Sequence, residues 1–203
     1  MSLPVLRQST EPGTDQPKVN RNCLSAGGPF KLILGGIGHG GRTSRIEGFL
    51  TVDLQEGPQT DIVSDCSKLS MFESGDVSEI YASHVLEHFP WDQTHRVLTE
   101  WKRVLVANGR CYISVPDFSV IDRLYHSDGL CDFAVELLWG VSDEFLGSHL
   151  AGFDYARLSR CLIHAGFQDV QRLEAMPYNL GDCSKIRENR TGGYISLNVE
   201  AVA

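Results

Sequence analysis

No run in this 203-residue chain approaches the roughly 20 consecutive apolar residues of a membrane-spanning helix. The opening MSLPVLRQST lacks the basic segment followed by an apolar one that marks a secretory leader. Blocks of like charge and Lys/Arg clusters are absent too. With a formal net charge of −8, this argues against a protein that tracks nucleic-acid phosphates. The six cysteines (positions 23, 66, 111, 131, 161 and 183) form no C-x-x-C pair and no zinc-finger spacing. Such usage suits reduced, mostly buried thiols. What is left, 42% hydrophobic and 22% charged residues, is the composition of an ordinary globule, long enough for one well-buried domain and short for two. The expectation is a cytoplasmic protein with a small-molecule substrate and neither nucleic acid nor membrane as partner.

Along the chain, residues 1–29 hold four prolines and three glycines with no sustained period, and read as a flexible N-terminal arm. From Phe30 onward strand and helix signals alternate, with no internal repeat. FKLILG (30–35), FLTVDL (49–54), DIVSDC (61–66) and VSEIYAS (77–83) read as four strands. Pro90 suits a first helical position. Val97, Leu98, Trp101, Val104 and Leu105 form one stripe of a helix that Asn108-Gly109 would cap. CYISVP (111–116) reads as a fifth strand, followed by a helix over 119–126 and a less regular apolar stretch over 127–153. Asp154 is placed as the N-cap of a helix closed by Gly166. FQDVQRLEA and YISLNVEAV read as the last two strands, flanking a polar loop over 176–193. The alternation predicts an α/β, doubly wound, Rossmann-like sheet.

Residues 34–41, LGGIGHGG, make a glycine-rich turn after a strand, where a backbone without Cβ atoms can approach a ligand closely. Gly36, Gly38 and Gly40 match G-x-G-x-G; Gly36, Gly38 and Gly41 match the G-x-G-x-x-G of dinucleotide enzymes. Asp53 ends the next strand, seventeen positions after Gly36, where a carboxylate can accept from both hydroxyls of a ribose in either cofactor class. Only residues 42–48 separate Gly41 from that strand, whereas a βαβ crossover with its helix takes at least about 10–12. A pyrophosphate needs a proper helix N-terminus, so this shortage disfavours NAD.

The richest segment is 77–89, VSEIYASHVLEHF, which delivers Ser83, His84, Glu87 and His88 just beyond a strand's carboxyl end, where open α/β sheets bind ligands. This segment closely resembles the fourth strand and following loop of class I S-adenosylmethionine-dependent methyltransferases, especially the small bacterial type 11-like group. The resemblance extends over about 30–170, taking in WKRVLVANGRCYISVPD and HLAGFDYARLSRCLIHAGF. It implies a mostly parallel sheet with an antiparallel last strand, a single domain over 30–203, and an acceptor-pocket insertion over 127–153. S-adenosylmethionine would be held by Gly35, Gly36, Gly38, Gly40, Asp53, Asp65, Cys66 and Ser83; an alternative register puts Gly35 on the first family glycine. By the resemblance, Asp65 meets the adenine amino group, and the amide at Cys66 meets a ring nitrogen. One departure stands out: Ile33 and Leu34 are apolar where relatives commonly carry a polar residue in the first strand.

Methyl transfer from a sulfonium is an in-line displacement with a neutral leaving group. The protein supplies alignment and water exclusion, plus a base if the acceptor is a hydroxyl. His84 is the first candidate for that base, with His88 and His149 behind it. The expected acceptor is a small molecule or sugar-like hydroxyl. His84-Val-Leu-Glu87-His88 also spells H-x-x-E-H, a zinc-hydrolase pattern, but Pro90 limits any helix there to about one turn. Some similar methyltransferases hold magnesium with E-x-x-E-H at this place; His84 in place of the first Glu weakens such an oxygen-rich site, and no residue is assigned to a metal. The alternatives are a non-catalytic protein binding adenosylmethionine or a partner and, further off, an NAD-linked oxidoreductase.

Overall fold

The computed structural model describes residues 17–19, 24, 27–35, 45–140, 148–178, 180–187 and 193–203. Its strands are β1 (Lys18–Val19), β2 (Phe30–Leu34), β3 (Phe49–Asp53), β4 (Ile62–Val63), β5 (Val77–Ser83), β6 (Leu105–Pro116), β7 (Gln168–Leu173) and β8 (Ser196–Val202). They form one sheet in the order β1-β4-β3-β2-β5-β6-β8-β7. The pairs β4/β3, β3/β2, β2/β5 and β5/β6 are parallel, while β6/β8, β8/β7 and β1/β4 are antiparallel. The expected mostly parallel sheet with an antiparallel final strand is therefore present. Lys18 and Val19, within the stretch read as a flexible arm, pair with β4.

Among the described residues, four helices accompany the sheet: α1 (Thr94–Val104), α2 (Phe118–Asp128), α3 (Asp132–Trp139) and α4 (Tyr155–His164). Leu32, Leu34, Val52, Ile80, Ala82 and Ile113 point to one face of the sheet, where they meet Val97, Leu98 and Trp101 of α1 and Leu158 and Leu162 of α4. Trp101 is fully buried and donates its indole N–H to Cys66 O at 2.9 Å, which ties α1 to the loop after β4. On the opposite face, among the described residues, Ile33, Phe49 and Tyr81 are covered by Met176 and Leu180, with Tyr178 packed edge-on against Phe49 and Tyr81. A loop, rather than a helix, lies over that part of the sheet.

Some boundaries differ from those the sequence suggests. The helix expected from Pro90 begins at Thr94, because Pro90 closes a turn by accepting from Gln93 N. It ends at Val104, and β6 starts at the next residue with no loop between. Asn108-Gly109, read as a helix cap, instead lies in a bulge: between paired positions β6 takes five steps where β5 takes two. Asn108 has φ +63°, and a Cβ on Gly109 would sit 2.9 Å from Val106 O. The strand expected over 61–66 shrinks to Ile62–Val63, since Asp65 leaves it by accepting from Ser67 N. At the other end of the fold Asp154 caps α4 as expected, accepting from Arg157 N at 2.6 Å.

Candidate active site

Register brings the strand ends to one level. Leu34 pairs with both Val52 and Ala82, so Gly35, Asp53 and Ser83 are the next residues on three adjacent strands. Asp53 pairs with Val63, which places Asp65 two residues beyond on the fourth. Gly35 has φ +64°, and a Cβ there would lie 2.6 Å from Val85 Cγ2. Only glycine lets the end of β2 pass this close to the loop after β5. Gly36, Gly38 and Gly40 lie outside the described residues.

Asp53 accepts from Gln55 N at 2.8 Å and Asp65 from Ser67 N at 2.8 Å, so each carboxylate is oriented by its own turn. Cys66 is a core residue, its thiol pushed up by burial and by the charges of Asp65 and Asp53. Its sulfur is therefore not available to a ligand, which leaves only its backbone for the expected contact. Ile33 and Leu34 are buried core residues, and neither offers a polar group at the end of β2.

Beyond β5 the chain turns sharply. His84 has φ +54°, a left-handed conformation that costs a non-glycine residue on the order of 1–3 kcal/mol. The strain is held in place because His84 N donates to Ser114 O of β6 at 2.8 Å. Leu86–His88 then form a single 3-10 turn. The H-x-x-E-H motif therefore sits on no supporting helix, which removes the zinc-hydrolase reading. His84 Nδ1 lies 3.1 Å from Glu87 Oε1, and its Nε2 lies 2.9 Å from Ser196 Oγ at the start of β8. His88 instead packs against His149, ring centroids 5.1 Å apart at 70°.

Glu87 is 1% exposed. Burial alone would raise its carboxyl, but His84 and His88 outweigh that and hold it below the usual carboxylate range. Its backbone carbonyl accepts from both Leu150 N (2.7 Å) and Ala151 N (3.1 Å), which clamps the end of the 127–153 insertion onto the motif. His149 is held in turn: its backbone N–H donates to Trp139 O, and Nδ1 lies 3.0 Å from Leu137 O. Burial pushes the His149 imidazole below its ordinary range, against the opposing pull of Glu87. All three histidine candidates thus come together around one buried carboxylate.

Of the stretch 127–153 expected to be an insertion, the described residues form the end of α2, α3 and the 148–153 segment; 141–147 lie outside the described residues. Val120, Ile121 and Leu124 of α2 pack with Ala134 and Leu137 of α3 and with Ile195 in a cluster separate from the main core. Phe118, Phe133, Trp139 and Leu150 stay exposed. Asp117 is buried, caps α2 through Ser119 N and accepts from Arg172 of β7 at 2.6 Å, joining the insertion to the antiparallel edge of the sheet.

Sequence reasoning missed Ser196 and the seam beside it, where Ser196 Oγ also lies 3.1 Å from Cys183 O and Tyr81 donates to Asp182 at 2.7 Å. No local signal marks these residues; only the placement of β8 beside β6 brings them to His84.

Residues 45–113 match the family model of a methyltransferase domain. The fold resembles that of a SAM-dependent methyltransferase from Archaeoglobus fulgidus (17% identity over 86% of this chain and 86% of that one, TM-score 0.53). It also resembles a possible histamine N-methyltransferase from Thermotoga maritima (16% identity, 89% and 84% covered, TM-score 0.54). A third similar structure, the 1,6-didemethyltoxoflavin-N1-methyltransferase of Burkholderia thailandensis, contains S-adenosylhomocysteine (17% identity, 84% and 69% covered, TM-score 0.50). No curated protein matches the sequence. The fold is therefore that of S-adenosylmethionine-dependent methyltransferases, and residues 45–113 carry the match to the methyltransferase-domain model.

Proposed function

We propose that this chain transfers a methyl group from S-adenosylmethionine to a hydroxyl oxygen of a small-molecule or sugar-like acceptor. The observation that carries this reading is a histidine–carboxylate pair, His84 and Glu87, at the carboxyl end of β5 beside the glycine that opens the cofactor loop. Asp53 would accept from the ribose hydroxyls, its carboxylate oriented by the bond from Gln55 N. Asp65 and the Cys66 amide would meet the adenine, and Ser83 and Gly35 would line the methionine end. The cofactor supplies an electrophilic methyl on a sulfonium; the chain supplies alignment, water exclusion and a place for the acceptor's proton.

His84 is equipped to take that proton. Glu87 Oε1 beside Nδ1 orients the ring and stabilises the imidazolium. Nε2 faces the Ser196 hydroxyl, which accepts from a protonated ring while giving its one hydrogen to Cys183 O, and turns that hydrogen to Nε2 when the ring is neutral. In catalysis an acceptor hydroxyl takes the place of Ser196 at Nε2, and Ser196 gives its hydrogen to Cys183 O instead. The 127–153 stretch and the α2 helix before it, with exposed Phe118, Phe133 and Trp139, supply apolar surface for the acceptor. Calorimetry tests the cofactor half directly: S-adenosylhomocysteine should bind and raise the melting temperature, since it binds the native state only. A shift with NADH and none with either adenosyl compound would overturn the reading.

A further inference from the structure

Glu87 is nearly inaccessible to solvent, and its carboxylate oxygens have no hydrogen-bond partner among the described residues beyond the contact with His84. Isolated buried carboxylates are costly unless a cation compensates them. One ligand atom each from Glu87, His88 and His149 lies within 4.8 Å of the other two. His88 Nδ1 is buried and likewise has no partner among the described residues. The Leu137 carbonyl can only accept, so His149 Nδ1 carries the hydrogen and its Nε2 carries the lone pair. A backbone carbonyl that fixes the tautomer in this way is the usual outer support of a metal-ligating histidine.

We propose that Glu87, His88 and His149 form a site for a divalent transition-metal ion. Ligands at about 2.1 Å from a common ion lie at most about 4.2 Å apart, so small rotations of the rings close the site. Two imidazoles and one carboxylate favour the zinc, iron, cobalt or manganese class over magnesium or calcium, which prefer all-oxygen shells. His84 is a positioning residue here: its Nδ1, 3.1 Å from Glu87 Oε1, fixes the carboxylate that would meet the ion. Three protein ligands leave positions open, as in metal sites that act on a bound molecule. An acceptor hydroxyl entering one of them would lose its proton more readily. That role rests on the methyltransferase reading; the site itself does not.

The test is metal binding without cofactor or acceptor. Protein stripped with a chelator is titrated with Co²⁺, followed by visible absorption and calorimetry, with Mg²⁺ in a parallel arm. Expected are about one equivalent of Co²⁺, d–d bands in the visible, and affinity lowered at least about tenfold in His88→Ala, His149→Ala and Glu87→Gln. His95→Ala, on the outer surface of α1, should bind as the parent does. Native circular dichroism checks each variant; where alanine unfolds the chain, glutamine at the same position replaces it. No saturable Co²⁺ binding would overturn the proposal. So would binding that survives both His88→Ala and His149→Ala, or saturable Mg²⁺ binding tighter than Co²⁺. Because no cofactor enters the measurement, a chain that binds Co²⁺ but not S-adenosylhomocysteine keeps this site and loses only the methyltransferase reading.

Discussion

Two histidine pairs in this molecule look alike ring by ring and differ in everything around them. His88 and His149 meet edge to face at 5.1 Å; His95 of α1 and His164 of α4 meet edge to face at 4.5 Å. The first pair is half-buried beside an enclosed carboxylate and locked by backbone bonds from Leu150, Ala151 and His149. The second lies exposed on the outer surface where two amphipathic helices pack. Ring stacking therefore does not make a site. A buried charge that needs a partner does, because water cannot screen or satisfy it there.

The sharpest way to break this contrast is turnover. His84→Ala should lose about 10²–10⁴-fold in methyl transfer, followed with labelled cofactor, while still binding S-adenosylhomocysteine; His95→Ala should change neither. Full turnover in His84→Ala would reduce that histidine to wall structure. Next comes stability. Glu87→Ala removes a buried carboxylate with its bond to His84 and leaves a cavity, and should cost about 3–5 kcal/mol in urea unfolding, against less than about 0.5 for His164→Ala. Equal costs would erase the distinction between the two pairs.

A smaller effect is expected on the cofactor side. Asp53→Ala should weaken S-adenosylhomocysteine by roughly 1–3 kcal/mol in calorimetry with the fold intact. Unchanged affinity in a folded variant would remove Asp53 from the site. The smallest effect belongs to the outer region. Arg103 donates to both oxygens of Glu100 and holds its carboxyl below the usual range. A folded value below the unfolded one means the contribution is present above the unfolded value near 4.5 and is lost as pH falls through the folded one. The acid limb of melting temperature against pH should therefore be shallower in Glu100→Gln. An identical limb would show that this pair contributes nothing.

Much of this was legible beforehand. The apolar runs ending at Leu34, Asp53 and Ser83 announce parallel strands whose exits form a site, and Asp154 with Gly166 brackets α4. Asn108-Gly109 misled, because the same dipeptide serves a helix cap and a β-bulge; a positive φ suits both. The histidine candidates were visible one by one. That His149 joins His88 was not, since sixty residues and an insertion lie between them.

The sequence by itself determined the strand–helix alternation, the short crossover after the glycine loop and the one-turn limit that Pro90 sets on the H-x-x-E-H motif. These are local consequences of apolar periodicity and backbone restriction. Only the tertiary structure decided that Glu87 is buried, that Ser196 from the last strand faces His84, and that the carbonyl of Glu87 clamps the insertion bearing His149. Those relations depend on which strand enters the sheet where. Strand order follows from burial summed over the whole domain, and no single segment carries it.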